Sequence, residues 1–151
     1  MRLKDLILPE YISLSVEARD WRQAIEISCA PLLGKAISEN YVKAIIKNFE
    51  ELGPYMVIGP GIAMPHARPE EGVLQTAMSL TVLKTPVAFG HKANDPVRLL
   101  ITLCALDSEM HLQAVAELMG VLENKQRVNA LMSAQSVIDV LRVIEMNGGD
   151  V

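Results

Sequence analysis

Gly59-Pro60-Gly61-Ile62-Ala63-Met64-Pro65-His66-Ala67-Arg68-Pro69-Glu70-Glu71-Gly72-Val73 is the stretch around which the chain is organised. Gly59, Pro60 and Gly61 prevent a regular element at its start. Ile62, Ala63 and Met64 are small or apolar and suit a short extended run. Pro65 fixes a backbone torsion just before His66 and removes one N–H from any ladder. Arg68 follows two residues later, and Pro69 biases it away from helix. One imidazole therefore stands at the end of a short apolar segment, on a stiffened backbone, with a cation nearby. That arrangement suits a nucleophile that accepts an anion. A solvent-exposed His in a Pro/Gly-rich turn has the same local sequence, so the residues alone leave both readings open.

Outward from this stretch, strands and helices intersperse. Tyr11–Val16 alternates Ile12, Leu14 and Val16 with serines, the pattern of a half-buried strand. Asp20 reads as a helix N-cap with Gln23 as its box partner, and Trp21, Ile25, Ser28 and Leu32 share one face. Pro31 kinks or ends that helix and Gly34 follows as its stop. Ser38 opens a second helix with Val42, Ile45, Ile46, Phe49 and Leu52 facing inward, ended by Gly53-Pro54. Tyr55–Ile58 and Ile62–His66 read as short extended segments. Ala77–Leu83 reads as a strand broken by Lys84-Thr85-Pro86. Val97–Leu106 is almost wholly apolar, which fits a central strand covered on both faces. Asp107 or Ser108 caps the next helix, with Val115, Leu118, Met119 and Leu122 as its buried stripe. Asn124–Met132 reads as a short helix. Ser136–Met146 reads as the last, with Val137, Val140, Leu141 and Ile144 on one face. The expected fold is α/β: one domain over 1–151, with a mixed sheet of about five strands flanked by helices on both faces.

Composition narrows the function classes. Of the 151 residues half are apolar and 4% aromatic, so the core is aliphatic. A net charge of −4 counts against nucleic-acid binding. No apolar run approaches the ~20 residues of a membrane helix, and no signal peptide is visible. Cys29 and Cys104 are far apart in apolar surroundings, as buried free thiols of a reducing cytosol would be. The expected location is cytoplasmic. The three histidines lie on separate segments without the i, i+3 or i, i+4 spacing that preorganises metal ligands, and no phosphate-binding loop for nucleotides is present. No metal or other cofactor is expected.

Glu51, Ile58-Gly59 and Ile62-Ala63-Met64-Pro65-His66 together resemble the active-site signature of enzyme IIA domains of the mannitol/fructose superfamily. Those domains belong to the bacterial phosphoenolpyruvate-dependent sugar phosphotransferase system (PTS). The continuation His66-Ala67-Arg68-Pro69-Glu70-Glu71-Gly72-Val73 looks most like the ascorbate-type branch. Asn94-Asp95-Pro96-Val97 through His111-Leu112-Gln113 also resembles the family. The resemblance implies a phosphotransferase with a covalent phosphohistidine. His66 would accept a phosphoryl group from the carrier HPr and pass it to a cysteine of enzyme IIB, serving a membrane permease, enzyme IIC, indirectly. An ascorbate-like or pentitol-like sugar would be the cargo. His111, in the first turn of its helix, would be the second histidine beside the active one; half-buried core packing is its alternative.

The mannitol branch carries an active-site Arg before its glycine turn. Here Phe49-Glu50-Glu51 stand there instead, and Arg68 is the substitute for stabilising phosphate. Ile62, Met64, Glu70 and Glu71, with the start of the His111 helix, form the expected docking surface. His91 reads as a surface turn residue. A second reading keeps the fold but makes the chain a nitrogen-type regulatory module that acts by docking on partners.

Overall fold

The computed structural model describes residues 1–145; Met146, the expected end of the last helix, lies outside them. The chain runs α1 (Leu3–Leu6), β1 (Ile12–Val16), α2 (Trp21–Cys29), α3 (Glu39–Leu52), β2 (Val57–Gly59), β3 (Ile62–Ala63), β4 (Ala77–Val87), β5 (Val97–Cys104), α4 (Ser108–Leu122), α5 (Lys125–Met132) and α6 (Val137–Glu145). The five strands form one mixed sheet in the order β1-β4-β5-β3-β2. β1 is parallel to β4, β4 antiparallel to β5, β5 parallel to β3, and β3 antiparallel to β2.

Helices cover both faces, as the interspersed pattern predicts. α2 and α3 close one side, where Ile25, Tyr41, Ile45 and Phe49 pack with Leu83, Leu100 and Cys104. α1, α4, α5 and α6 close the other, where Leu118, Leu131 and Val140 pack with Leu80, Leu99 and Ile101. Successive β5 residues thus serve opposite cores, which is why Val97–Cys104 has no polar alternation. Ser79 and Thr102 are fully buried as well. Ser28 Oγ of α2 lies 2.7 Å from Thr102 Oγ1 and 3.3 Å from Ser79 Oγ, so this polar cluster is satisfied inside the α2 layer.

Asp20 and Asp107 cap their helices as the sequence places them, and Asn124, read only as the first residue of a short helix, proves to be a cap as well. Gln23 N donates to Asp20 Oδ1 at 2.8 Å, Met110 N to Asp107 Oδ1 at 2.8 Å and Arg127 N to Asn124 Oδ1 at 3.1 Å. Ser38 holds the cap position of α3 without a side-chain bond.

The structure corrects several boundaries. Lys84-Thr85-Pro86 does not end β4, which continues to Val87. A register shift between Val82 and Val87 absorbs the proline, and Arg98 Nη1 donates to the carbonyls of Leu83 (3.1 Å) and Lys84 (3.0 Å). β5 stops at Cys104, two residues early. Leu52 is not on the inner face of α3 but 69% exposed, whereas Tyr41, absent from the expected stripe, is fully buried. In α4 the buried stripe centres on Ala114, Leu118 and Val121, with Val115, Met119 and Leu122 half-buried. α1 is an additional helix whose Leu3 and Leu6 join the core beneath α4, α5 and α6.

Both cysteines are buried and free, and burial pushes each thiol up to about 12. Among the described residues no helix is long and apolar enough to cross a membrane.

Candidate functional site

β3 and β5 are adjacent and parallel, so the segments leaving their carboxyl ends emerge side by side. Ligand sites in open α/β sheets favour this location. His66 follows β3, and α4 begins four residues past β5, carrying His111 in its first turns. The two imidazole centroids are 5.7 Å apart with planes inclined at 49°. Tyr55 stands edge-on to His66 at 6.0 Å. The rings share a cleft of about 980 Å³, also lined by Asn48, Leu52, Arg68, Glu70, Glu71, Leu106, Asp107, Ser108 and Leu112.

Gly61 makes the β2–β3 turn at φ +74°, and its carbonyl accepts from Arg98 N (2.9 Å) and Leu99 N (3.0 Å). That turn sets the register of Ile62–Ala63 on β5 and with it the exit of His66. His66 is half-buried. Its Nδ1 lies 2.8 Å from the Met64 carbonyl, which can only accept, so Nδ1 carries the proton and Nε2 keeps the lone pair. In the neutral ring this contact alone makes Nε2 the unprotonated nitrogen.

His111 is half-buried, and its pKa is lowered first by burial and then by His66. It is therefore a neutral imidazole near pH 7, able to donate one hydrogen bond. α4 contributes more. Asp107 caps the Met110 amide, and among the described residues the Ser108 and Glu109 N–H groups have no acceptor. A helix N-terminus of this kind favours an anion through its free donors and its dipole. Among the described residues lining the cleft, Arg68 is the only Lys or Arg. It is exposed, and among those residues it forms no ion pair.

The structure thus brings His66, His111, Arg68, Glu70 and Glu71 to one cleft. Glu71 is partly committed, because Asn40 Nδ2 donates to its carbonyl oxygen (2.9 Å) and its carboxylate (3.3 Å). Ile62 and Met64 are a correction. They are 5% and 7% exposed and pack in the α4–α6 core, so they offer no docking surface. In their place Leu52, Tyr55, Leu106 and Leu112 stand exposed around the cleft. The sequence held a trace of this: Leu106 immediately precedes a helix cap, and Leu112 lies off the apolar stripe of α4. Asn48 and Tyr55 had no such signal. Glu51 points away to Lys47 at 4.0 Å and is exposed. His91 is half-exposed, its Nδ1 accepting from Ala93 N (3.2 Å) and Asn94 N (3.1 Å) within its own turn. Among the described residues no three His, Cys, Asp or Glu side chains gather as metal ligands would.

Comparison with known proteins agrees with this architecture. The family described as "Phosphoenolpyruvate-dependent sugar phosphotransferase system, EIIA 2" matches residues 5–147. The chain is 40% identical over 147 residues to the ascorbate-specific PTS system EIIA component of Escherichia coli, covering 93% of this chain and 96% of that one. The solution structure of the mannitol-specific cryptic phosphotransferase enzyme IIA CmtB from Escherichia coli superposes with a TM-score of 0.87. It shares 41% identity, covering 95% of this chain and 98% of that one. Enzyme IIA in its complex with phosphorylated enzyme IIB of the Escherichia coli mannitol system superposes with a TM-score of 0.80 at 28% identity. That match covers 92% and 98% of the two chains. Fold and sequence together define a phosphotransferase. The chain belongs to the EIIA 2 family of the phosphoenolpyruvate-dependent sugar phosphotransferase system.

Proposed function

We propose that the chain is a phosphoryl carrier in the cytoplasm, in which His66 Nε2 accepts a phosphoryl group from phospho-HPr and yields it to a cysteine of enzyme IIB. The observation that carries this reading is the 2.8 Å contact of His66 Nδ1 with the Met64 carbonyl, which leaves Nε2 as the nucleophile beside a second imidazole. Nε2 attacks phosphorus in line as the donor nitrogen leaves. Imidazole reacts as the neutral base, so this step needs no proton removed from the nucleophile. The reverse geometry delivers the group to a thiolate. Such a transfer rests on positioning and charge stabilisation rather than on elaborate covalent machinery. His111, the Ser108 and Glu109 amides and Arg68 are suited to bond the equatorial oxygens. Neither a metal nor a nucleotide enters this scheme.

Both partners approach the same face in turn. The exposed Leu52, Tyr55, Leu106 and Leu112 supply a modest apolar contact, and Glu70 supplies an acidic rim for a basic carrier. Enzyme IIC is served only through enzyme IIB. Identity of 40% with an ascorbate-specific component supports transport of an ascorbate-like or pentitol-like sugar over a purely regulatory role. Incubation with phosphoenolpyruvate, enzyme I and HPr tests the reading. The wild-type chain takes up one acid-labile phosphate and His66→Gln none. Equal labelling of the two proteins refutes it.

A further inference from the structure

β3 pairs with β5 only through Ile62 and Ala63, yet the chain beyond it stays attached to β5. Leu103 N donates to the Pro65 carbonyl at 3.0 Å. Past His66, among the described residues, no backbone hydrogen bond joins this segment to β5, and a side chain makes the link instead. Ala67 N donates to the Tyr41 hydroxyl oxygen at 3.0 Å, and that hydroxyl lies 2.7 Å from the Leu103 carbonyl. The Ala67 carbonyl is 3.1 Å from the same oxygen. A phenol has one proton, and the shorter contact takes it. Pro65 and Ala67 are therefore both tied to Leu103, the first directly and the second through Tyr41, and His66 is the residue between them. Tyr41 belongs to α3, on the opposite core, and is fully buried. Burial pushes its phenol well above the ordinary tyrosine value, which keeps the donor proton in place.

We propose that Tyr41 is a positioning residue for phosphoryl transfer, its hydroxyl acting as the missing ladder rung that fixes the His66 backbone and so aims Nε2 into the cleft. The inference rests on the phosphoryl-carrier reading above. It separates from simple core packing because the aromatic ring fills α3's pocket with or without the oxygen. Deleting the hydroxyl strands the Ala67 N–H, on the residue just after the histidine, and the Leu103 C=O of β5 to which it is tied.

Tyr41→Phe in the full chain is the test, with Ser28→Ala as a control that removes a buried, hydrogen-bonded hydroxyl from the α2 layer instead. The expected result for Tyr41→Phe is a single-turnover phosphorylation rate at saturating phospho-HPr lower by about 10-fold or more, within the ~100-fold that a 1 Å misplacement costs. The concentration of HPr giving half the maximal rate stays unchanged, and Ser28→Ala keeps the wild-type rate. The Ala67 amide exchanges faster and ¹⁵N spectra show His66 losing its single Nδ1–H tautomer. A rate within threefold of wild type overturns the proposal, as does an equal slowing in Ser28→Ala. If Tyr41→Phe does not fold, an ester in place of the Ala67 amide removes the same rung and is held to the same outcomes. If the wild-type chain takes up no phosphate, the carrier reading fails by itself. Tyr41 is then judged on the tautomer and amide exchange, and wild-type values for both in Tyr41→Phe overturn it.

Discussion

His111→Ala separates a phosphate-bonding imidazole from a packing residue. An ordinary histidine, with a pKa near 6.5, is about one-quarter protonated at pH 7. Burial and the neighbouring His66 lower that fraction, so His111 is suited to donate as a neutral ring. Its ring lies 5.7 Å from the ring of His66, the proposed nucleophile, within reach of a group carried on Nε2. Removing one preorganised donor of this kind costs ~2.7–4 kcal/mol of barrier, a rate loss of about 10²–10³-fold. The stability cost is much smaller. His111 is half-buried near the start of α4, and alanine's higher helix propensity returns up to ~0.7 kcal/mol. Quench-flow transfer from the phosphorylated chain to enzyme IIB, beside a thermal melt, measures both quantities. The expected result is a folded variant with a 10²–10³-fold slower transfer. A rate within threefold of wild type, or a variant that simply unfolds, refutes the reasoning.

Three further outcomes follow from the geometry. Leu112→Asp charges an exposed apolar rim position, so stability changes by less than ~0.5 kcal/mol while the second-order rate with HPr falls about fivefold or more; Glu70→Lys slows the same step only at low salt, and wild-type rates for both place docking elsewhere. Gly72→Ala imposes a side chain at φ +129° and drives its Cβ into Ser38 Oγ, at a cost of ~1–3 kcal/mol or about 2–12 °C in Tm; an unchanged melt contradicts the turn geometry. The lowered pKa of His111 means that the unfolded chain binds this proton more readily. Its stability contribution is thus present above about pH 6.5 and lost as pH falls through 6.5 toward the folded value. The stability of wild type relative to His111→Asn therefore declines from pH 7.5 to 5, and a constant difference contradicts the assignment.

The layered fold was legible because its signals are local: Asp20 and Asp107 are caps, and Val97–Cys104 is apolar except at Arg98 and Thr102 because both its faces are covered. Docking residues were less legible. Ile62 and Met64 read as surface because they adjoin His66, but a strand next to β5 in a sheet covered by helices has no solvent face there. Leu52 matches the period of α3's buried face, yet it stands exposed at the rim of the cleft in the last turn. Lys84-Thr85-Pro86 reads as a stop, since a bulge and the reach of Arg98 from a strand distant in sequence carry no local mark. The nearness of His66 and His111 is likewise a product of strand order. Periodicity does not report it, and the family resemblance alone anticipated it. α1 is four residues long, too short for any periodic signal.

The central claim is that His66 Nε2 is the phosphorylated atom. Heteronuclear NMR of the chain labelled with ¹⁵N-histidine and phosphorylated through HPr tests it directly. The account predicts phosphorus coupled to Nε2 of His66, with Nδ1 still protonated toward the Met64 carbonyl. Phosphorus on Nδ1, on another residue, or absent from the chain would contradict it.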